Sequence, residues 1–522
     1  MKKNTYYLLL LFISIGLYSC SNEKVAYIPD PVPENFDDDG IAPESSANIV
    51  LKVQPTQTHQ EIDGFGCAFA EWSHRIYNNT KRLEVLDALF SDKGLGLNIF
   101  RGEAFPHYGN EGSYDFGLNL QYNRSASDPY LLGCYWDRTD IPVRLGQTWL
   151  LDELTSNPEK YTVDKFMFST WSPPAYMKTT NNATSGKIKP ESKPDFANYL
   201  ADFVKQLEAK FNFKVYAISP TNEPNAPFAS WSMCNWSQID LADFIVDHLR
   251  PAFTEQGLDT KIIYGEHAWW NNGATYVNRG IEHNPEVAQA AQIAAGHGYS
   301  TSTKQIAPYT KAEEAGFKIW NTELSHTGDK EVRWVEDGLH WADIFEAYLA
   351  KGDVSAIVWW AGARPAYNNE PLIYLQEALP GTSYELSSRY YTFGHFSKFI
   401  PAGSFRTDIE AELQENDTAE ASRSDDNDDE GAETPEILPE GISYTSYVDQ
   451  ASKTFTIVVI NRTEMAQEVL IEVEGEEIEN MRTYTSNEGV KWMHKKVNPS
   501  LSGQRSAFIT ATGVVTITGK LK

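Results

Sequence analysis

Residues 215–224 read VYAISPTNEP, and residues 318–325 read KIWNTELS. Each stretch begins as a short apolar run with β-branched and aromatic residues, the signature of a buried strand. Each then passes into polar residues that include a glutamate, Glu223 in the first and Glu323 in the second. Pro224 fixes the turn beside Glu223, and Asn222 places an amide next to the acid. A strand that delivers chemistry at its C-terminal end is the working unit of a parallel barrel.

The same unit recurs on both sides. Strands are predicted at Ile62–Ala68, Leu97–Arg101, Phe166–Trp171, Val215–Ser219, Ile262–Glu266, Gln292–Gly296, Lys318–Thr322 and Val354–Trp360. Helix-patterned segments separate most of them, clearest at Pro194–Phe211, Ile239–Phe253 and Val332–Lys351. In the first of these, Phe196, Leu200, Phe203, Val204 and Leu207 form one apolar stripe. Eight strands alternating with helices predict an α/β protein, a (β/α)8 TIM barrel over residues 61–400. A doubly wound open sheet is the competing architecture. Gly64-Phe65-Gly66 follows the first strand's start but lacks the third glycine and the helix start of a dinucleotide turn.

After residue 400 the period changes from helical to two. Gly441–Tyr447, Thr454–Ile460, Gln467–Val473, Met481–Thr485 and Gly513–Thr518 alternate between turn residues. They predict a C-terminal antiparallel β-sandwich side domain over 401–522. Asn48–Gln54 alternates too, so residues 48–60 are expected to add an N-terminal strand to that sandwich. Residues 408–440 hold 14 acidic residues against one basic, Arg423. Asp425–Gly431 lacks the ligand order of a calcium loop, and the segment reads as a disordered acidic insertion.

The N-terminus carries an address. Lys2 and Lys3 precede an apolar run over Leu8–Leu17, too short to span a bilayer, which ends at Leu17-Tyr18-Ser19-Cys20. Residues 1–20 resemble a bacterial lipoprotein signal with Cys20 as the lipidation site. Residues 21–47, rich in Pro, Ser, Asp and Glu, read as a flexible tether. The expected location is outside the cytoplasm on a lipid anchor, with the membrane touched only through that anchor. Cys67, Cys134 and Cys234 remain, so at most one internal disulfide is possible, and the spacings fit no zinc pattern.

Composition bounds the partners. The 522 residues carry 44 Lys and Arg against 72 Asp and Glu, a net charge of −28, which argues against nucleic acid. Hydrophobic residues make up 41%, enough for a core, which excludes a wholly disordered chain. Aromatics make up 13%, and such side chains serve cores and sugar-stacking walls alike. Oligomeric state is not legible.

Glutamates after the fourth and seventh barrel strands would face each other across one pocket. Two carboxyls facing a bound sugar are what glycoside hydrolysis needs: one protonates the leaving oxygen, the other attacks the anomeric carbon or activates water. The pair must hold its pKa values apart, with the acid's raised. Glu103 and Glu266 also follow predicted strands and compete for these roles.

The order and spacing of several motifs resemble glycoside hydrolase family 30. They are Phe65-Gly66 with Ala68-Phe69, Trp171–Lys178 (WSPPAYMK), Asn222-Glu223-Pro224, Gly296–Tyr299 (GHGY), Trp320–Glu323 (WNTE) and Phe393–Ile400 (FGHFSKFI). The resemblance spans residues 48–407. It implies a retaining β-glycosidase on a (β/α)8 barrel with a side β-sandwich. It implies Glu223 as general acid/base and Glu323 as nucleophile, with no metal or organic cofactor. Asn222 would bind the sugar's 2-hydroxyl, or merely stabilise its turn. Arg101 resembles the arginine that keeps the nucleophile ionised, and Tyr299 the tyrosine that orients it. His297, Trp171 and Trp360 complete the substrate-binding set, the tryptophans as walls of the sugar site. Cys67–Trp72 (CAFAEW) departs from the lipid-processing and β-1,6-glucanase branches, and the Trp359-Trp360 and Thr170–Pro174 stretches lean toward xylanase-like ones.

The expected substrate is therefore a plant polysaccharide or oligosaccharide. Alternatives are a β-1,6-glucan, a β-1,6-galactan or a glucosylceramide-like glucoside. A carbohydrate-binding lipoprotein on a decayed scaffold would have lost a carboxylate, and both are present. A metal-assisted hydrolase would need a third ligand beside His267 and His297.

Overall fold

In the computed structural model of the protein, the described residues are 40–414 and 438–522, apart from 71, 105–146, 183, 212, 227–231, 330–331 and 366–367. Cys20, Cys134, most of the tether and residues 415–437 of the acidic segment lie outside the described residues.

The first strand, β1 (Ile49–Glu61), belongs to the side domain. The next eight are β2 (Gly64–Ala68), β3 (Ile99–Glu103), β4 (Lys165–Ser169), β5 (Val215–Ser219), β6 (Lys261–His267), β7 (Ile293–His297), β8 (Lys318–Leu324) and β9 (Ala356–Trp359). They close in chain order into a barrel, and every neighbouring pair is parallel. An open doubly wound sheet is thereby excluded. Helices cover the outside, among them Lys193–Phe211, whose predicted stripe of Phe196, Leu200, Phe203, Val204 and Leu207 is buried. The predicted helix 239–253 runs from Gln238 to Glu255 through a wider π-type turn at Ile245–Leu249.

Side chains alternate across each strand, so one set fills the barrel and the other meets the helices. Ile99, Met167, Ala217, Ile263, Ile293, Ala295, Trp320, Ala356 and Val358 form one buried interior cluster. Its lower end is shut. The Trp320 ring stacks on Tyr216 with centroids 5.8 Å apart, and its Nε1 donates to Asp63 at 2.9 Å. Lys318 closes on Asp63 at 2.6 Å. The barrel is a packed core, and its reactive groups gather at the opposite, C-terminal mouth.

Beyond the barrel lies a small sheet of β10 (Ala363–Arg364), β11 (Ile373–Leu375) and β12 (Tyr384–Leu386). The side domain adds β13 (Phe405–Leu413), β14 (Ile442–Asp449), β15 (Thr454–Asn461), β16 (Gln467–Val473), β17 (Ile478–Ser486), β18 (Met493–Lys496), β19 (Ser506–Ile509) and β20 (Gly513–Leu521). Its nine strands run β18-β17-β20-β15-β14-β13-β1-β16-β19. All pairs are antiparallel except β1 with β16. The sheet folds over itself, because Val53 and Ile471 from one half share a core with Ile457 and Ile517 from the other.

One expectation is corrected here. Residues 408–413, assigned to a disordered acidic insertion, are paired strand. Within β13, Ile49 faces Leu413 and Val53 faces Ile409 across the β1 ladder. Thr407 is buried, and Ile409 and Ala411 pack against the sandwich core. Asp408, Glu410 and Glu412 take the opposite face. Counting charge hid a period-two strand whose solvent face is acidic.

Barrel and sheet share a packed boundary. The helix Ser388–Ser397 lies between them, and Trp492 packs on Tyr390 and Tyr391 while its Nε1 donates to the Tyr391 carbonyl at 2.8 Å. His395 Nδ1 meets Thr516 Oγ1 at 2.8 Å.

Candidate active site

Strand alternation predicts which residues reach the mouth. Two residues beyond the interior Ile99, Met167 and Ala295 come Arg101, Ser169 and His297, all on the same inner face. Two strands break that period. In β6 the ladder skips Glu266, since Gly265 pairs with Ala295 and His267 with Gly296. In β8 the register passes from Asn321 to Glu323 while β7 advances one residue from Gly296 to His297. Each break inserts one extra residue, and such bulges re-aim side chains. Here they bring Glu266 and Glu323 inward.

Glu223 gets there differently. It stands past the end of β5 with φ of 46°, a left-handed conformation that costs a residue with a side chain about 1–3 kcal/mol. Its N–H donates to the Glu266 carbonyl at 2.9 Å, which ties this turn to the bulge in β6. Glu266 is itself left-handed, with φ of 62°.

The groups meet in one network. Arg101 Nη1 donates to Glu323 Oε2 at 2.5 Å, and its Nη2 donates to Asn222 Oδ1 at 2.7 Å and to Glu266 Oε2 at 3.2 Å. Tyr299 donates its hydroxyl to Glu323 Oε1 at 2.6 Å. His297 Nδ1 lies 3.1 Å from Glu223 Oε1 and 3.9 Å from Glu323 Oε1, and its Nε2 lies 3.5 Å from Glu266 Oε2. Ser169 donates to the same Glu266 oxygen at 3.0 Å. Glu223 and Glu323 are 6% and 5% exposed, whereas Arg101, His297 and Glu266 are 0% exposed. The first two keep a little solvent access, and the other three are sealed from it.

Burial and charge set the protonation states. Burial raises the Glu223 carboxyl above its ordinary range; the neighbouring His297 opposes this and Glu323 reinforces it. Burial alone would discharge His297, but Glu323, Glu223 and Glu266 outweigh it and hold the imidazole's pKa up at about 10. Glu266 is buried too, yet Arg101 and His297 draw its pKa down to about 2. His267 goes the other way: burial, with His297 nearby, lowers it to about 4.

One ligand atom each from Glu223, His297 and Glu323 lie within 4.8 Å of one another, close enough to suggest a cation site. Their chemistry does not fit one. Both Glu323 oxygens already accept hydrogen bonds from Arg101 and Tyr299, and His297 is a cation itself.

The remaining expected residues cluster above the network. The Arg101 guanidinium sits 4.9 Å from the Trp171 ring centroid and 5.8 Å from that of Trp360. Trp360 also meets Trp72 edge-on at 4.7 Å, and its Nε1 donates to Glu370 Oε1 at 2.8 Å. Cys67 and Cys234 are buried free thiols. Glu103, the other competitor, donates its backbone N–H to Gln147 Oε1 at 2.8 Å. Trp72 and Glu370 carry no role in the sequence reading, and Glu266 enters it only as a competitor for the catalytic roles. Glu266 could have been found from Gly265 before it, since glycine inside a strand often marks a bulge.

An eight-stranded parallel barrel with paired glutamates at its C-terminal mouth and a sandwich at its side defines a class, the barrel glycosidases. Comparison with known proteins supplies the family. The sequence model described as O-Glycosyl hydrolase family 30 matches residues 48–374. The chain belongs to that family and is a glycoside hydrolase. It is 24% identical over 414 residues to the lysosomal acid glucosylceramidase of Mus musculus, covering 71% of this chain and 74% of that one. It is 27% identical over 248 residues to glucuronoxylanase XynC of Bacillus subtilis, covering 46% of this chain and 53% of the relative. An endo-1,6-β-D-glucanase of Neurospora crassa is 23% identical over 390 residues, 69% of this chain and 74% of that one. Among solved structures, the catalytic domain of xylanase C from Talaromyces cellulolyticus superposes with a TM-score of 0.70 at 20% identity, covering 90% of this chain and 100% of that one. At such identity the likeness shows the fold.

Proposed function

We propose that this protein hydrolyses β-glycosidic bonds of a polysaccharide with retention of configuration, Glu323 acting as nucleophile and Glu223 as general acid/base. The observation that carries the reading is the approach of the two carboxyls, with an oxygen of each within 4.8 Å. Retaining glycosidases keep their carboxyls about 5–5.5 Å apart, whereas inverting ones leave about 6.5–9.5 Å for a water.

Each residue then has a task. Glu223, its pKa raised by burial, enters protonated and gives its proton to the glycosidic oxygen as the bond to the anomeric carbon breaks. A Glu323 oxygen forms the new bond to that carbon, giving a glycosyl ester. Arg101 and Tyr299 hold the nucleophile's two oxygens in place beforehand. Glu223, now a carboxylate, takes a proton from water, whose oxygen displaces Glu323 and returns its charge. Asn222, its carbonyl oxygen held by Arg101, offers its amide N–H groups to the 2-hydroxyl. Trp171 and Trp360 wall the sugar.

The proposed substrate is a xylan-type plant glycan, cut by endo or exo action. The tryptophan wall and the xylanase relatives support this. A second reading, a β-1,6-glucan or a glucosylceramide-like glucoside, is favoured by the larger share of the chain that those relatives match. Residues 1–20 support export and anchoring through Cys20. Incubation of residues 21–522 with glucuronoxylan, arabinoxylan, β-1,6-glucan, β-1,6-galactan and a glucosyl lipid tests the substrate. Release of xylo-oligosaccharides alone is expected; release from a 1,6-linked glucan or the lipid alone would replace the xylan reading. Mass spectrometry of the mature N-terminus tests the anchor, with a lipidated Cys20 expected and an unmodified one contradicting it.

A further inference from the structure

The proposed mechanism uses Glu223 and Glu323, yet a third carboxylate lies at the centre of the same network. Glu266 is 0% exposed and stands on the bulge of β6 in a left-handed conformation. A strained, bulged position that points a charged side chain into a barrel is a structural expense without a packing reason. Its contacts supply another reason. Oε2 accepts from Arg101 at 3.2 Å and from Ser169 at 3.0 Å, and faces His297 Nε2 at 3.5 Å. Its carbonyl accepts the Glu223 N–H at 2.9 Å. Arg101 touches Glu323, and His297 touches Glu223.

We propose that Glu266 is a positioning residue, which holds Arg101 and His297 as cations beside the two acids and carries the Glu223 turn on its own backbone, without touching substrate. This inference rests on the roles proposed above for Glu223 and Glu323.

The charges explain why a carboxylate is needed there. Arg101 and His297 bring two positive charges into a buried site. Glu323 supplies one negative charge, and Glu223 must begin neutral to act as an acid. Glu266 supplies the missing negative charge, so the site is balanced with the proton on Glu223. Without Glu266 the two cations would draw that proton off. The groups facing His297 are Glu223, Glu323 and Glu266, with Tyr299 at a ring-centroid distance of 6.1 Å and His267 acting on it through charge. Glu266 is the one carboxylate among the three that neither gives nor takes a bond in the reaction.

The test is Glu266→Gln, which keeps shape and removes charge, beside Glu266→Asp, which keeps charge. The first readout needs no substrate: NMR of the His297 imidazole across pH 6 to 11 in wild type and both variants. In wild type the ring stays protonated past pH 8; in Glu266→Gln its midpoint moves at least one pH unit lower, and Glu266→Asp restores part of the shift. The second readout is the pH profile of kcat/KM on a released substrate, whose alkaline limb moves to lower pH in Glu266→Gln while KM stays near wild type. A folded Glu266→Gln with an unmoved His297 titration would overturn the proposal. If that variant does not fold, wild type decides: a His297 ring already neutral at pH 8 overturns it, and one protonated until near pH 10 supports it. Lack of turnover on every substrate would count against the glycosidase roles and leave the NMR result to judge Glu266.

Discussion

Two buried cations and three buried carboxyl groups share a few ångströms of the barrel mouth, and most of the site's behaviour follows from their balance. Glu323→Gln keeps the hydrogen-bond shape of the nucleophile and removes its attack. The protein should still fold and lose on the order of a thousandfold or more in kcat; turnover within tenfold of wild type would contradict the assignment. His297 makes a prediction about stability. Its pKa is raised in the fold, from an ordinary value near 6.5 to about 10. A group so shifted contributes fully below pH 6.5, and the contribution fades as pH rises from there through 10. The stability difference between wild type and His297→Gln should therefore shrink over that range, as read by denaturant melts at a series of pH values. A difference that grew with pH would contradict the protonated imidazole. The residue scale was partly legible in the sequence. Glu223 and Glu323 stood out because polar residues end an apolar strand there. Glu266 was visible only as a competitor, because a bulge is a property of the ladder between strands and leaves no more than a glycine in the sequence.

At the scale of elements, period did most of the predicting and failed where two signals overlapped. All eight barrel strands lie where short apolar runs stand between helical patterns, with ends displaced by a few residues. The predicted end at Trp171 overshoots β4, which stops at Ser169, with one further backbone bond from Thr170 N–H to the Ser219 carbonyl at 3.0 Å. β13 was lost under the acidic count, and β18 and β19, of four residues each, are too short to show a period. The helix Ser388–Ser397 joins barrel to sheet through a tight contact. Gly394 faces Trp492 so closely that a Cβ there would overlap the indole ring. Gly394→Ala should destabilise the protein by about 1–3 kcal/mol, the usual result of overpacking, despite alanine's better helix propensity. A thermal melt checks this; an unchanged or higher Tm would mean the boundary can yield.

The whole molecule is one chain threaded through two structures. It begins in the sandwich with β1, builds the barrel, and returns to complete the sandwich around its own first strand. β1 lies inside the sheet, between β13 and β16, so the side domain cannot be cut away as a C-terminal piece. A chain starting after Glu61 should lose cooperative unfolding of the sandwich, because Leu51 and Val53 leave its core and both neighbours lose their ladder. Circular dichroism and solubility of that truncation would show it, and a soluble protein with a native melt would contradict it. The closed lower end of the barrel and the gathered charges at the upper end point to one working face, and the spacing of Glu223 and Glu323 there is the central claim. It is tested most directly by proton NMR of the first sugar released from a β-linked substrate, before mutarotation. The account predicts that the β-anomer appears first; initial release of the α-anomer would mean inversion and would contradict Glu323 as nucleophile.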